Sequence, residues 1–509
     1  MFRARTAQNV VISVGLQWFN RFLGIVTRVF LARLLFPDDF GIFALATGVI
    51  SFVGTFGNFG LDYAILHKGD KATTEDYDVA MSLRVVISLT LFLASVAIAG
   101  PWASLFSAPV LGPTTQVLAI TYLVIPWSFV PQTRLTAELR YGTIAIPNLA
   151  GQLANSFISV GLAIFGFGVW SLVYGLLIAQ FVSTAAFSAV HQWKFRMTFS
   201  RSVARPLMSY AQHIISASVL IFLITNVDDF TVGFYLGSTQ LGFYAIAMAL
   251  GSIPAVYMSG PAGSALFPSL VRIQQQPDVL RRRYLEGYGY IAAVIAPASV
   301  GMAVLAPEIV NILLGPMWAP ATLTLLVLAF YGLAKALIDF TASLFAAVGR
   351  PRLIAELNLF VLAGSLVLLF PFTFAYGIVG TAVSMTIPVI AVAVVSISRS
   401  AHVLQGRATE FYRRLFGPIF AAETMGVVVL SLRLWLYSFL PERIDIPLLH
   451  ASMHEATLVL TVGILLGVLV YFVVLRLVDR GTFDGLGRTL LMGIRPRGGQ
   501  PDKNDIGRS

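Results

Sequence analysis

FGIFALAT at residues 40–47 returns as LGFYAIAM at residues 241–248. At this offset of 201, Gly41 falls on Gly242, Phe43 on Tyr244, Ala44 on Ala245 and Ala46 on Ala247. A second echo sets FGFGVWSLV at 165–173 against FAYGIVGTA at 374–382, at an offset of 209. The two echoes keep their order, and the small drift between offsets implies short insertions. The chain reads as a duplication.

Both copies lie in apolar runs. A run of roughly 20 to 28 apolar residues, rising about 1.5 Å per residue, crosses about 30 Å of hydrocarbon as a helix. Lipid offers the backbone no hydrogen-bond partner, so helices are the expected form. Fourteen such runs fall near 8–32, 40–62, 80–100, 115–135, 144–165, 168–190, 208–235, 241–265, 285–305, 320–346, 353–373, 376–397, 415–437 and 457–477. Of the 509 residues, 57% are hydrophobic and 11% charged, whereas about a quarter are charged in soluble domains. The composition excludes a soluble globular protein and predicts an all-α integral membrane protein.

The connections between runs alternate in charge. Arg3, Arg5, Lys68, Lys71, Arg84, Arg134, Arg140, the cluster Lys194 to Arg205, Arg272, Arg281 to Arg283, Arg350, Arg352, Arg399 to Arg414 and the tail from Arg476 hold 28 of the 34 basic residues. With fourteen spans all of these lie on one side, and only Arg33, Arg433 and Arg443 lie on the other. The positive-inside rule then makes both termini cytoplasmic in a multi-pass protein of the cytoplasmic (inner) membrane. The net charge of +10 belongs to this basic face, which suits anionic headgroups. Nucleic acid is not an expected partner.

Each copy of the repeat holds six spans. Six is even, so both copies enter the membrane from the same side, and the repeat is parallel with a cleft between its halves. The expected organisation is an N-terminal six-helix lobe over 1–200, a second over 201–400, two extra helices over 401–480 and a basic cytoplasmic tail over 481–509. No soluble domain of any size fits between the spans. The N-terminal run, interrupted by Gln17, Asn20 and Arg21, reads as a retained span and not a secretory signal.

The chain has no cysteine, which excludes disulfide and thiolate chemistry, and its six histidines show no ligand spacing. No Gly-rich phosphate loop, paired metal histidines, Ser-His-Asp arrangement or ATPase domain is present. A transporter driven by a gradient, or by the substrate's own direction of flow, fits better than an enzyme; no metal or other cofactor is expected.

Charges within the spans become the candidate site. Gln17, Arg21 and Arg28 share one face of the first helix. A charge near mid-span costs at least about 2.5–3.5 kcal/mol on insertion scales, so Arg21 is expected to face protein or water. Asn226, Asp228 and Asp229 form a polar knot in the seventh span, and Arg28 corresponds to Asp229 at the repeat offset. Opposite charges are therefore expected to meet across the cleft at equal depth. Lys335 and Asp339, four apart in the tenth span, can pair along one helix. Pro254, Pro261, Pro297 and Pro388 interrupt their spans.

Several segments are similar to the multidrug/oligosaccharidyl-lipid/polysaccharide exporter superfamily, in its branch of Wzx-type lipid-linked oligosaccharide flippases. They are FLARLLFPDDFGIFALAT at 30–47, FGNFGLDYAIL at 56–66, GFGVWSLV at 166–173, NVDDFTVGFYLGSTQLGFYAIA at 226–247, ALFPSLVRIQ at 265–274, LAPEIVNILLGPMWAPA at 305–321 and AAVGRPRL at 346–353. The resemblance covers about residues 8–400 and implies a V-shaped bundle of two lobes working by alternating access. Its implied cargo is a polyprenyl-(pyro)phosphate-linked oligosaccharide repeat unit, moved from inner to outer leaflet. Arg21, Arg28 and Lys335 then suit the pyrophosphate, and Gln17, Asn20 and Asn226 suit sugar hydroxyls. Asp228, Asp229 and Asp339 stand either as counter-ions or as sites for a coupling proton or sodium ion. The bilayer and the glycolipid are the expected partners of a monomer that would hand its product to polysaccharide polymerase and export machinery.

Two other readings stay open. A small-cation drug exporter of the same architecture would need a cleft dominated by carboxylates, against which Arg21 and Arg28 argue. A membrane-embedded glycosyltransferase or polymerase would need acidic residues in a long outer connection, for which 433–456, with Glu442, Asp445 and Glu455, is the best candidate.

Overall fold

The structure, a computed structural model, describes residues 2–57, 60–193, 195–439 and 453–494. Among these it is helical, with no strand. The first half comprises α1 (Phe2–Leu34), α2 (Pro37–Gly57), α3 (Leu61–Lys68), α4 (Thr74–Leu105), α5 (Leu111–Ala119), α6 (Thr121–Val124), α7 (Pro126–Ala137), α8 (Tyr141–Ile164) and α9 (Val169–Val190). The second comprises α10 (Arg201–Leu236), α11 (Ser238–Gly251), α12 (Gly260–Ile273), α13 (Pro277–Val304), α14 (Ala306–Ile309), α15 (Ala321–Ala347) and α16 (Pro351–Val403). Then follow α17 (Ala408–Phe439), α18 (Met453–Val478) and α19 (Arg480–Ile494).

Local chemistry sets these boundaries. Proline opens α2, α7, α13 and α16, where its missing N–H is not needed. At the start of α4, Thr73 and Asp76 satisfy each other's backbone N–H groups in a capping box. Pro254 precedes a π-helical turn, Ala255–Ser259, that separates α11 from α12, and a second π turn, Val310–Leu314, follows α14. A π turn shifts the register of the backbone ladder and presents carbonyls to neighbours.

Nine helices among the described residues are long and apolar enough to cross a membrane; a tenth crossing results if α5–α6 and α7, bent by 48°, act together. The other expected crossings fall on less apolar or interrupted helices. These are α1, with Gln17, Asn20, Arg21 and Arg28; α8, with Asn148, Gln152 and Asn155; and the broken pair α11 and α12. The expected spans 353–373 and 376–397 merge in α16, which breaks only at Gly377, where φ is 57°. Residues 480–494, of which 481–494 are expected to be tail, form a further helix packed on α13 and α18.

α1 packs on α8, and α8 on α9; in the second half α15 packs on α16, α13 and α12, while α17 lies between α13 and α18. The halves meet along α2 and α11, the two copies of the repeat. A Cβ on Gly41 would overlap the Ser238 carbonyl, and one on Gly242 would overlap the Pro37 carbonyl. These are one contact made twice, since 37 and 238 differ by the same 201 as 41 and 242. The isologous pattern is that of a twofold interface. Trp318 is fully buried beside it, edge-on to Phe40 at 5.3 Å and Phe243 at 5.8 Å, and donates its indole N–H to the Ala32 carbonyl at 2.8 Å.

Candidate functional site

At the N-terminal ends of α2 and α11 the halves are tied together. The hydroxyl of Ser238 donates to the Asp38 carboxylate, and Thr239 does so at 3.3 Å. Asp38 sits in the first turn of α2, where the helix dipole favours a carboxylate. Arg33, at the end of α1, crosses to the second π turn. Its Nε donates to the Leu313 carbonyl at 3.1 Å, and its Nη2 donates to the carbonyls of Ile312 and Asn311. Those carbonyls end a helical segment and carry partial negative charge.

The other end is open. Between α2, α4 and α10 lies a cavity of about 550 Å³ lined by Arg84, Ser88, Tyr122, Thr225 and Asn226, among others. Gly54, in its wall, is thirteen residues beyond Gly41 on α2, or about 20 Å along the helix. Arg84 also borders a second pocket of about 220 Å³ between α3, α4 and α7, with Asp62, Gln132 and Thr133. The Arg84 guanidinium lies 5.9 Å from the Phe129 ring and donates weakly to the Gly57 carbonyl at 3.5 Å. Its Nε is buried without a partner, and among the described residues no carboxylate pairs with it. Next to Thr133 on α7, Arg134 lies 4.7 Å from the Tyr77 ring and 4.2 Å from that of Trp193, whose indole N–H reaches Asp78 at 3.1 Å.

The residues singled out from sequence are distributed over several sites. Gln17 is exposed and Asn20 half-buried, its Oδ1 without a partner. Arg21 donates to the Val256 carbonyl in the first π turn at 2.9 Å and lies 5.7 Å from the Tyr257 ring. It therefore bridges the halves. Arg28 lines a narrow gap against Ile246, Ile253 and Tyr257 of the second half. It forms no ion pair with Asp229, because α1 presents it to α11 and not to α10. Asp228 is buried and accepts the Tyr244 hydroxyl at 2.6 Å, with its other oxygen unpartnered. Asn226 lines the large cavity and donates to the Phe222 carbonyl at 3.0 Å. Lys335 pairs with Asp339 along α15. Among the described residues no hydrogen bond or ion pair joins Arg21, Arg28, Asn226 and Lys335 to one another. Residues 440–452, with Glu442 and Asp445, lie outside the described residues.

Three features escaped the sequence reading. Its position places Arg84 with the basic face, whereas in the structure it borders two pockets within the bundle. Arg33 and Arg433 stand in the sequence only as exceptions to the charge pattern. Arg433 is in fact buried, donating to Glu308 at 2.7 Å, and Tyr437 donates to the same carboxylate oxygen at 2.9 Å. This knot fixes α17 to α14.

The polysaccharide biosynthesis protein family matches residues 30–323, more than half of the chain. The chain belongs to this family. The match takes in the paired helices α2 and α11, the Arg84 cavity, both π turns and Trp318. The chain is 26% identical over 305 residues to the succinoglycan biosynthesis transport protein ExoT of Rhizobium meliloti, covering 59% of this chain and 60% of that protein. It is 23% identical over 343 residues to the lipopolysaccharide biosynthesis protein WzxC of Escherichia coli, covering 66% and 69%. The first of these family relatives is thus matched over less than two thirds of its length. In fold the chain is similar to the lipid II flippase MurJ in an inward closed conformation, with a TM-score of 0.73, 15% identity and coverage of 92% of this chain and 99% of that one.

Proposed function

We propose that the chain is a flippase, not an enzyme, and that it moves polyprenyl-(pyro)phosphate-linked oligosaccharide repeat units from the inner to the outer leaflet for surface polysaccharide assembly. The observation that carries this reading is the polarity of the seam between the halves. It is tied at Gly41–Ser238 and Pro37–Gly242, and it widens about 20 Å away into a cavity holding an unpaired guanidinium. Rocking of two halves about such a seam exposes the cavity to one leaflet at a time. The transport and lipopolysaccharide biosynthesis names of the two relatives, and the lipid II named for the structural neighbour, support a glycolipid as cargo.

In this reading the helices make fourteen spans: lobes over 1–200 and 201–400, and an extra pair over 401–480. Both termini and the basic tail are cytoplasmic, the tied end faces outward, and the membrane is the inner one. Arg21, Arg28 and Lys335 serve the phosphate once released from their present contacts; Gln17, Asn20 and Asn226 serve the sugars. Asp228, Asp229 and Asp339 act as counter-ions or as binding sites for a coupling proton or sodium ion. The flippase works as a monomer and passes its product to polymerase and export proteins.

Deletion in the source organism, followed by analysis of lipid-linked sugars, tests this. Accumulation of cytoplasm-facing glycolipid is the expected result. Unchanged surface glycan with altered drug sensitivity would favour the drug-exporter reading instead.

A further inference from the structure

Arg84 stands between two compartments of opposite character. On one side is the cavity of about 550 Å³ between the halves, whose polar lining besides Arg84 is, among the described residues, made of hydroxyls and the Asn226 amide, without a carboxylate. On the other is the pocket of about 220 Å³ inside the first half, lined by Asp62, Gln132, Ser128, Thr133 and Thr136 with the Phe129 ring. Arg84 and Ile125 belong to both walls.

A guanidinium in a membrane span without an ion-pair partner is costly unless an anion reaches it. An anion approaching through the small pocket would meet the carboxylate of Asp62, which repels it. One approaching through the large cavity meets only Arg84 and neutral donors, so the charged group belongs there. The small pocket offers the complementary chemistry. A carboxylate and an amide accept from hydroxyl groups, an aromatic ring faces the apolar side of a saccharide, and the volume suits a ring of hexose size. A simple anion leaves the acceptors of the small pocket unused, and a cation is repelled by Arg84.

We propose that Arg84 and these two compartments form a bipartite site for a glycosyl phosphate group. The phosphate lies on Arg84 from the cavity side, and the saccharide ring attached to it enters the pocket of Asp62 and Gln132. This deepens, and rests on, the flippase reading: the ring that chooses the cargo is the one nearest the lipid. Arg84 adds an anion ligand to those proposed above, and Asp62 and Gln132 set specificity for the sugar next to the phosphate.

The test uses the full chain in lipid nanodiscs and measures binding of three probes: undecaprenyl diphosphate, and the same lipid carrying one glucose or one N-acetylglucosamine. Arg84→Gln is expected to weaken all three by about ten- to a hundredfold, the range of one hydrogen bond to a charged group. Arg84→Lys keeps the charge but loses the fork, and is expected to fall between; it decides the point if R84Q does not reach the membrane. Asp62→Asn is expected to leave the bare diphosphate bound as tightly or more so, while weakening at least one glycosylated probe about tenfold. Wild-type affinity in folded R84Q, or in R84K if it alone folds, overturns the anion assignment. An equal effect of D62N on bare and glycosylated probes overturns the saccharide pocket. If the wild-type chain binds none of the three, the flippase reading itself fails.

Discussion

Arg33 reaches from the end of α1 to the carbonyl of Leu313, 280 residues further along the chain, at 3.1 Å. Among the described residues only backbone oxygens receive it, so this tie does not depend on a partner side chain. Arg33→Gln should loosen the tied end without unfolding the protein, because Arg33 is exposed and its bonds are weakened by solvent. The natural absence of cysteine makes this measurable. Introduced alone as Ser238→Cys, a thiol at the seam should react several-fold faster with a membrane-impermeant maleimide when Arg33→Gln is added. An unchanged rate would remove Arg33 from the closure.

Gly41→Ala and Gly242→Ala should have matching effects. Each forces a methyl group into a carbonyl of the other half, with an overpacking cost of about 1–3 kcal/mol. Transport should fall steeply in both, and the double variant should cost less than the sum, since separation at one contact relieves the other. Thermal unfolding together with a transport assay would register this, and strict additivity would argue for two independent contacts.

Arg433→Met should be more damaging than either glycine change. It strands the Glu308 carboxylate, itself only 1% exposed, and loss of one partner of a buried pair costs about 3–5 kcal/mol. Adding Glu308→Gln should recover most of that loss. Unfolding temperatures of the two single variants and the double variant are the measurement; a double variant no better than R433M would mean that the pair is not the source of the stability.

Arg21→Gln should reduce transport about tenfold or more while expression stays normal, since one hydrogen bond to a charged group contributes about 1.5–3 kcal/mol. Arg21→Lys should retain part of the activity. Full transport in R21Q would leave Arg21 as a contact between the halves and nothing else.

What the sequence made legible follows from the kind of pattern involved. The matched residues of α2 and α11 revealed the repeat, because a close helix contact needs small residues wherever it recurs. The i, i+4 pairing of Lys335 with Asp339 follows from helix geometry alone. The partners of Arg21 and Arg33 are backbone carbonyls within the two π turns, and no side-chain pattern announces those. Equal depth suggested that Arg28 would meet Asp229, but depth does not fix which neighbour a helix face is turned towards. The inward turn of Arg84 escapes for a related reason: position at the start of a span says which end a charge occupies, not whether it points outward or into the bundle.

The doubled glycine contact has a mechanical consequence. A single point of close approach would let the halves swivel in any direction. Two points, one through Gly41 and one through Gly242, define a line, and rotation about that line is the one motion that strains neither. In the rocking motion proposed above, opening of the far end is thereby reduced to a single degree of freedom, as in a door hung on two pins.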